Sequence, residues 1–228
     1  MKHNAIWYFE RFGLLGGLNQ DQRHQLERQT RMHALKRGDT VCLAGEATDV
    51  VYIVKSGAVK VLGRSPEGTD VILGLLAPGD LFGELAPTGD DPEEQVAQAA
   101  VDSIVCTVPR DVFLRMIADA PPFALQVTKL MGLRLRRFSS RVEELLGKSA
   151  SARLAHTLLD LARQHGIPDG DGVLIPLRLS QGDLGKLVGL TRETVNGILQ
   201  AWRDQGVVVA DRRMIRLRDT ARLQRVKS

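Results

Sequence analysis

Residues 180–202 read SQGDLGKLVGLTRETVNGILQAW. Ser180 followed by Asp183 is a helix-start signal: the hydroxyl caps the first turn and the acid answers the dipole. Leu184, Leu187 and Val188 form one apolar face. Gly189 stops that helix where a tight turn is needed, and Thr191 caps a second one. The second helix buries Val195, Ile198, Leu199 and Trp202. Helix, short glycine turn and helix within so few residues is a helix-turn-helix pattern. The first turns of the second helix then expose Arg192, Glu193 and Asn196. Arg offers a fork to guanine, Glu accepts from the cytosine amino group, and Asn can read adenine. The competing reading is a helical hairpin in another fold.

Outward from this segment, Gly206 to Arg218 alternates as a short hairpin around Asp211-Arg212-Arg213. A basic two-stranded wing beside a recognition helix makes a winged helix, and its arginines suit phosphate contacts. Upstream, Ser151 to Gln164 is an amphipathic helix through Leu154, Ala155, Leu158, Leu159 and Ala162. Gly166 to Gly172 reads as a loop, and Val173 to Leu179 as a strand with Pro176 marking an edge. Pro121-Pro122 opens a long helix that ends near Gly147. Its apolar positions Met131, Leu135, Phe138, Val142 and Leu145 step 4, 3, 4, 3, a seam for a partner helix. Leu125, Leu130 and Leu133 lie on another face, available to the preceding domain, and Arg134, Arg136, Arg137 and Arg141 occupy the remainder. One fully buried helix is the alternative.

From Leu35 to Thr107 short apolar runs, such as Val50 to Val54 and Val71 to Leu73, alternate with glycine turns at Gly38, Gly45, Gly57, Gly68 and Gly79. That spacing predicts an antiparallel sandwich or barrel. Residues 1–35 read as loosely periodic helix through Leu14, Leu15, Leu18 and Leu26. The chain has 228 residues and a net charge of +4, with 43% hydrophobic residues. The charge is divided: residues 1–120 are net acidic and residues 121–228 net basic, which marks the back half as the candidate for nucleic acid. A solvated charged face is the other reading. No run of 18 apolar residues exists, the first ten residues are too polar for a signal peptide, and two cysteines form no disulfide framework, so a cytoplasmic chain is expected.

Taken together, Arg37-Gly38-Asp39, Gly45-Glu46, Ser56-Gly57, Pro78-Gly79-Asp80, Phe82-Gly83-Glu84-Leu85, the long helix and Leu190-Thr-Arg-Glu-Thr-Val-Asn196 resemble the Crp/Fnr superfamily of bacterial transcription regulators over nearly the whole chain. The resemblance implies an α+β protein. An N-terminal antiparallel β-roll, jelly-roll-like, would form a cyclic-nucleotide-binding-like effector domain over 1–120. A dimerisation helix over 121–147 and a winged helix-turn-helix DNA-binding domain over 148–228 would follow. It implies a homodimer on a pseudo-palindromic double-stranded site, RNA polymerase as a further partner, a possible small-molecule effector and no membrane. Arg192, Glu193 and Asn196 are expected to read bases, while Thr191, Thr194, Ser180, Lys186, Arg212 and Arg213 hold the duplex. Relatives read a TGTGA-like half-site with a basic residue five positions after the Arg; here that position is Gly197, which relaxes part of the preference.

The resemblance also marks an effector pocket, and fails inside it. Gly83, Glu84 and Leu85 match. The Arg and hydroxyl residue that hold a cyclic phosphate fall on Glu94 and Gln95. Asp90 to Glu94 carries four acids, and no Arg or Lys lies between Arg64 and Arg110. A carboxylate beside a phosphate is repulsive, so cAMP is expected to have no strong effect. Glu84 could still meet a ribose-like hydroxyl. Ser139 and Ser140 stand where relatives place polar residues reaching across the dimer; plain solvated positions are the alternative. Cys42 and Cys106 are too few for an iron–sulfur cluster and read as core residues, with redox sensing the lesser reading. His3, His24 and His33 are the histidines weighed as haem ligands and read as surface residues. No cofactor is assigned. No enzyme motif appears. Two further functions stay open: a ligand-independent regulator using the roll as scaffold, and one responding to another effector such as c-di-GMP.

Overall fold

Asn19 opens helix α1 (Gln20–Gln29) with a capping box: its side chain accepts from the Gln22 amide while Gln22 reaches back to the Asn19 amide. The structure, a computed structural model, describes residues 18–42, 49–64, 68, 70–83, 96–170, 172–211 and 214–226. Among the described residues eight strands come next: β1 (Arg31–Leu35), β2 (Thr40–Cys42), β3 (Val50–Ser56), β4 (Val59–Arg64), β5 (Asp70–Leu76), β6 (Leu81–Phe82), β7 (Val96–Ala99) and β8 (Ser103–Pro109). They form two sheets, ordered β1-β8-β3-β6 and β2-β7-β4-β5, which is the expected antiparallel roll. Two of its turns use the same device. Gly38 and Gly79 take positive φ, and Asp39 and Asp80 each accept the amide three residues back, from Lys36 and Ala77.

Strand period 2 sorts β3 and β8 onto two faces. Tyr52, Val54 and Val105 point between the sheets, with Val59, Val61, Leu76, Phe82 and Ala97. Val51, Ile53, Cys106 and Val108 face helices α2 (Arg110–Asp119) and α3 (Pro121–Gly147), packing on Phe113, Met116, Phe123 and Val127. The helical reading of residues 1–35 needs correcting where it can be compared. Residues 31–35 are a strand, paired from Arg31↔Thr107 to Leu35↔Ser103. Residues 1–17 lie outside the described residues.

Helix α3 begins and ends where the sequence placed it. Its packing face differs from the expectation: Phe123, Val127, Leu130 and Met131 meet the core, whereas Leu125 and Leu133 are exposed. Val127, Leu130 and Met131 repeat at i, i+3 and i+4 from one another, a single stripe that Leu125 and Leu133 miss. Met131 therefore leaves the seam for the core, and the exposed seam runs through Leu135, Phe138, Val142 and Leu145.

Contacts divide the chain into one unit of residues 1–61 and 75–137 and another of 62–74 and 138–228. The second unit contains α4 (Ala150–His165), β9 (Ile167–Asp169), β10 (Gly172–Ile175), α5 (Gln181–Val188), α6 (Arg192–Asp204), β11 (Val208–Asp211), β12 (Met214–Leu217) and α7 (Thr220–Gln224). The wing hairpin is half of a four-stranded sheet, β11-β12-β10-β9. The stretch read as a loop before Gly172 contains strand β9, and Pro168 is tolerated there because β9 is the edge. Pro176 terminates β10, a central strand, so it marks the strand's end rather than an edge.

Candidate functional site

The α5–α6 pair is built from local chemistry. Ser180 Oγ accepts the Asp183 amide at 3.0 Å and the Asp183 carboxylate accepts the Ser180 amide at 2.9 Å, a closed capping box. Gly189 ends α5 at φ 64°, the left-handed conformation glycine adopts without penalty. Gly185 lets the turn come close: an added Cβ would sit 2.5 Å from the Leu190 carbonyl oxygen. Thr191 caps α6 by accepting the Thr194 amide at 3.2 Å. Val195, Leu199 and Trp202 are buried, which rotates Arg192, Glu193, Thr194 and Asn196 to solvent.

The structure thus brings Thr191, Arg192, Glu193, Thr194 and Asn196 together on one end of α6. Ser180 sits beside them through Gln181, whose side-chain amide donates to Asn196 Oδ1 at 2.8 Å. Gln181 was not singled out from sequence; a Gln at a helix start carries no signal by itself. Ser180 spends its hydroxyl on the cap. Thr191 and Thr194 share a 3.0 Å hydroxyl–hydroxyl bond. Arg212 and Arg213 lie outside the described residues. Arg216, on β12, is bound at Nε to Asp169 at 2.7 Å.

Lys186 lies in the last turn of α5 and pairs with Asp70 of β5 at 3.5 Å. Next to it, Arg141 donates to the carbonyls of Leu73 and Ile72, both at 2.8 Å, and to that of Leu187. Arg153 donates to the Val188 carbonyl at 3.0 Å. These two guanidinium groups satisfy carbonyls that the end of α5 leaves without helical partners. Burial pulls the Arg141 pKa down from its ordinary value while Glu144 opposes the shift. Asp70 and Arg153 could not be read as partners of α5 from sequence, because both lie far from it along the chain.

The effector residues divide differently. Gly83 follows β6 with φ 75°, and an added Cβ would stand 2.7 Å from Tyr52 Cδ2. Tyr52 in turn stacks on Phe82 with ring centroids 4.9 Å apart. Glu84, Leu85, Glu94 and Gln95 lie outside the described residues. Ser139 and Ser140 are exposed on α3, in the other unit. Cys106 is buried in the core, and burial pushes its thiol up to about 11 against the opposing charge of Lys55. It is protonated at neutral pH and a poor nucleophile. Cys42 is half-buried, and His24 and His33 are exposed, while His3 lies outside the described residues. Among the described residues no group of three or more His, Cys, Asp or Glu side chains could hold a metal ion. No helix among them is long and apolar enough to cross a membrane.

Comparison with known proteins matches this layout. The cyclic nucleotide-binding domain profile matches residues 32–120, and the Crp-like helix-turn-helix profile matches residues 152–226. A CRP-like cAMP-activated global transcriptional regulator from Mycobacterium tuberculosis is 31% identical over 215 residues, covering 94% of this chain and 96% of the relative. The cAMP-activated global transcriptional regulator CRP of Salmonella typhimurium is 30% identical, covering 78% of this chain and 85% of its own. Among solved structures, FixK2 from Bradyrhizobium japonicum superposes with a TM-score of 0.75 at 26% identity, covering 87% of this chain and 98% of that one. With an antiparallel roll, a long helix, a capped helix-turn-helix and relatives along its length, the chain belongs to the Crp/Fnr family of DNA-binding transcription regulators, which are not enzymes.

Proposed function

We propose that the chain acts as a homodimer in the cytoplasm. It reads a pseudo-palindromic duplex with Arg192, Glu193 and Asn196 of α6, and cAMP does not switch it in the usual way. The observation that carries the DNA reading is the rotation of α6. Burying Val195, Leu199 and Trp202 leaves a guanidinium, a carboxylate and an amide at its exposed N-terminal end. These are the side chains suited to base edges in a major groove. Lys186, Thr191, Thr194, Arg212 and Arg213 serve the backbone. Residues 1–120 are the effector domain, 121–147 the dimerisation helix and 148–228 the DNA-binding domain. RNA polymerase is the downstream partner.

The dimer rests on α3. Leu135 and Phe138 are 65% and 56% exposed, and Val142 and Leu145 continue their face. Four large apolar residues in a stripe are what a second copy of the helix would cover. The effector reading rests on sequence. The relatives from Mycobacterium tuberculosis and Salmonella typhimurium are cAMP-activated by name, yet this chain has no Lys or Arg between Arg64 and Arg110 to meet a cyclic phosphate.

Selection from a randomised duplex pool tests the reading. The expected product is two inverted half-sites about one helical turn apart, with the same enrichment in 1 mM cAMP as without it. Enrichment of a lone half-site would overturn the dimeric reading. Enrichment that requires cAMP would overturn the effector reading.

A further inference from the structure

On β1 the positions facing between the two sheets are Arg31, His33 and Leu35, by register with Thr107, Val105 and Ser103. Inward positions of an antiparallel roll are ordinarily apolar. Two of these three are basic, and the reason is a cavity of about 600 Å³ in front of them. It lies within the first unit, and its described lining residues include none of the effector-pocket residues marked by the family resemblance. Its floor is apolar: Leu35, Val41, Val50 and Val105 from the inter-sheet core, with the ring of Tyr52. Its rim carries Arg28, from the last turn of α1, together with Arg31 and His33.

Three features give this cavity a chemistry. Arg31, Thr107 and Tyr52 stand abreast across β1, β8 and β3, so a guanidinium, a hydroxyl and a phenol line one row of the wall. His33 Nε2 is hydrogen-bonded to Thr107 Oγ1 at 3.0 Å, which fixes the ring toward the row. None of the described lining residues is acidic, and neither Arg28 nor Arg31 has an ion-pair partner among the described residues. Unpaired forks over an apolar floor suit a ligand with an oxyanion head and an apolar body.

We propose that this cavity is a second small-molecule site of the roll. It takes an organic anion whose single carboxylate or phosphate meets Arg28 and Arg31 while a ring or short acyl body covers Tyr52, Val50 and Val105. The ligand would rest on Tyr52, the ring that also packs beside Gly83 at the end of β6.

The test uses the full chain and the anionic fluorophore 8-anilinonaphthalene-1-sulfonate. Saturable fluorescence enhancement is expected. Octanoate and octyl phosphate should displace the probe, whereas octanol at equal concentration should not. If only one of the two displaces it, that one names the head group. Arg28→Gln and Arg31→Gln should each weaken probe affinity about tenfold, the scale of one charge-assisted hydrogen bond. Arg31→Lys, which keeps the charge and loses the fork, should give an intermediate value. Arg115→Gln, an exposed guanidinium on α2 that is not among the described lining residues, should leave binding unchanged. Arg28 and Arg31 are exposed, so circular dichroism of each variant should match the parent. Displacement by octanol as strong as by octanoate would overturn the proposal, as would a folded Arg28→Gln, Arg31→Gln double variant that binds the probe like the parent.

Discussion

Helix α6 and strand β1 both present cationic side chains to solvent, yet one is plain from the sequence and the other is not. In α6 the determinants are neighbours: Thr191 caps, Val195, Leu199 and Trp202 set the buried face, and Arg192 is left outside. In β1 the determinant of direction is Thr107, 76 positions beyond Arg31 and opposite it in the ladder. A helix closes its hydrogen bonds within itself, whereas a strand borrows them from elsewhere. Where a strand's inward positions also face a cavity, the alternation that would reveal it is absent.

That contrast can be broken first at α3. Phe138→Glu with Val142→Glu places charge on the exposed seam and should give monomers by light scattering. Loss of the second half-site should weaken palindrome binding by a hundredfold or more, the avidity that joining two modules provides. Unchanged dimer mass would assign the interface to another surface.

Two glycines sharpen the contrast at the level of stability. Gly83→Ala meets both positive φ and the Tyr52 ring at 2.7 Å, and should cost about 2–4 kcal/mol in chemical denaturation. Gly197→Ala, on exposed α6 with nothing within 4 Å of the new Cβ, should gain about 0.5–1 kcal/mol. A neutral Gly83→Ala would mean the Tyr52–Phe82 stack yields easily. A destabilising Gly197→Ala would mean α6 is held by more than its own turns.

A smaller effect is expected at the pair between Asp70 and Lys186. Both side chains are part-exposed, so the bond adds little to stability. Asp70→Asn should free Lys186 for phosphates and tighten binding to a scrambled duplex about two- to fivefold, with melting temperature little changed. Weaker binding in this variant would show that the pair presents Lys186 to the duplex rather than competing with it.

Much of the second unit was legible because its signals are local. Ser180 with Asp183, Gly189 at a left-handed turn and Thr191 fix both helices before any tertiary contact is considered. The roll's turns were legible for the same reason, through Gly38-Asp39 and Gly79-Asp80. What the sequence hid is non-local. Strand β9 looked like a loop because three glycines border it and Pro168 lies within it, and only β10 makes it a strand. Arg141 read as one of four arginines on a spare face, although its carbonyl partners come from β5 and α5. Leu125 and Leu133 read as core because apolar residues on a long helix do not announce which stripe is covered.

The central claim is that Arg192 reads a base while Lys186 holds the backbone. Titrations of Arg192→Ala and Lys186→Ala on specific and scrambled duplexes, across a salt series, test it most directly. The account predicts that Arg192→Ala costs about 1–3 kcal/mol on the specific site and little on the scrambled one. Lys186→Ala should weaken both alike and flatten the salt slope by about one unit. Equal weakening of both duplexes by Arg192→Ala would contradict the claim and make Arg192 a phosphate contact.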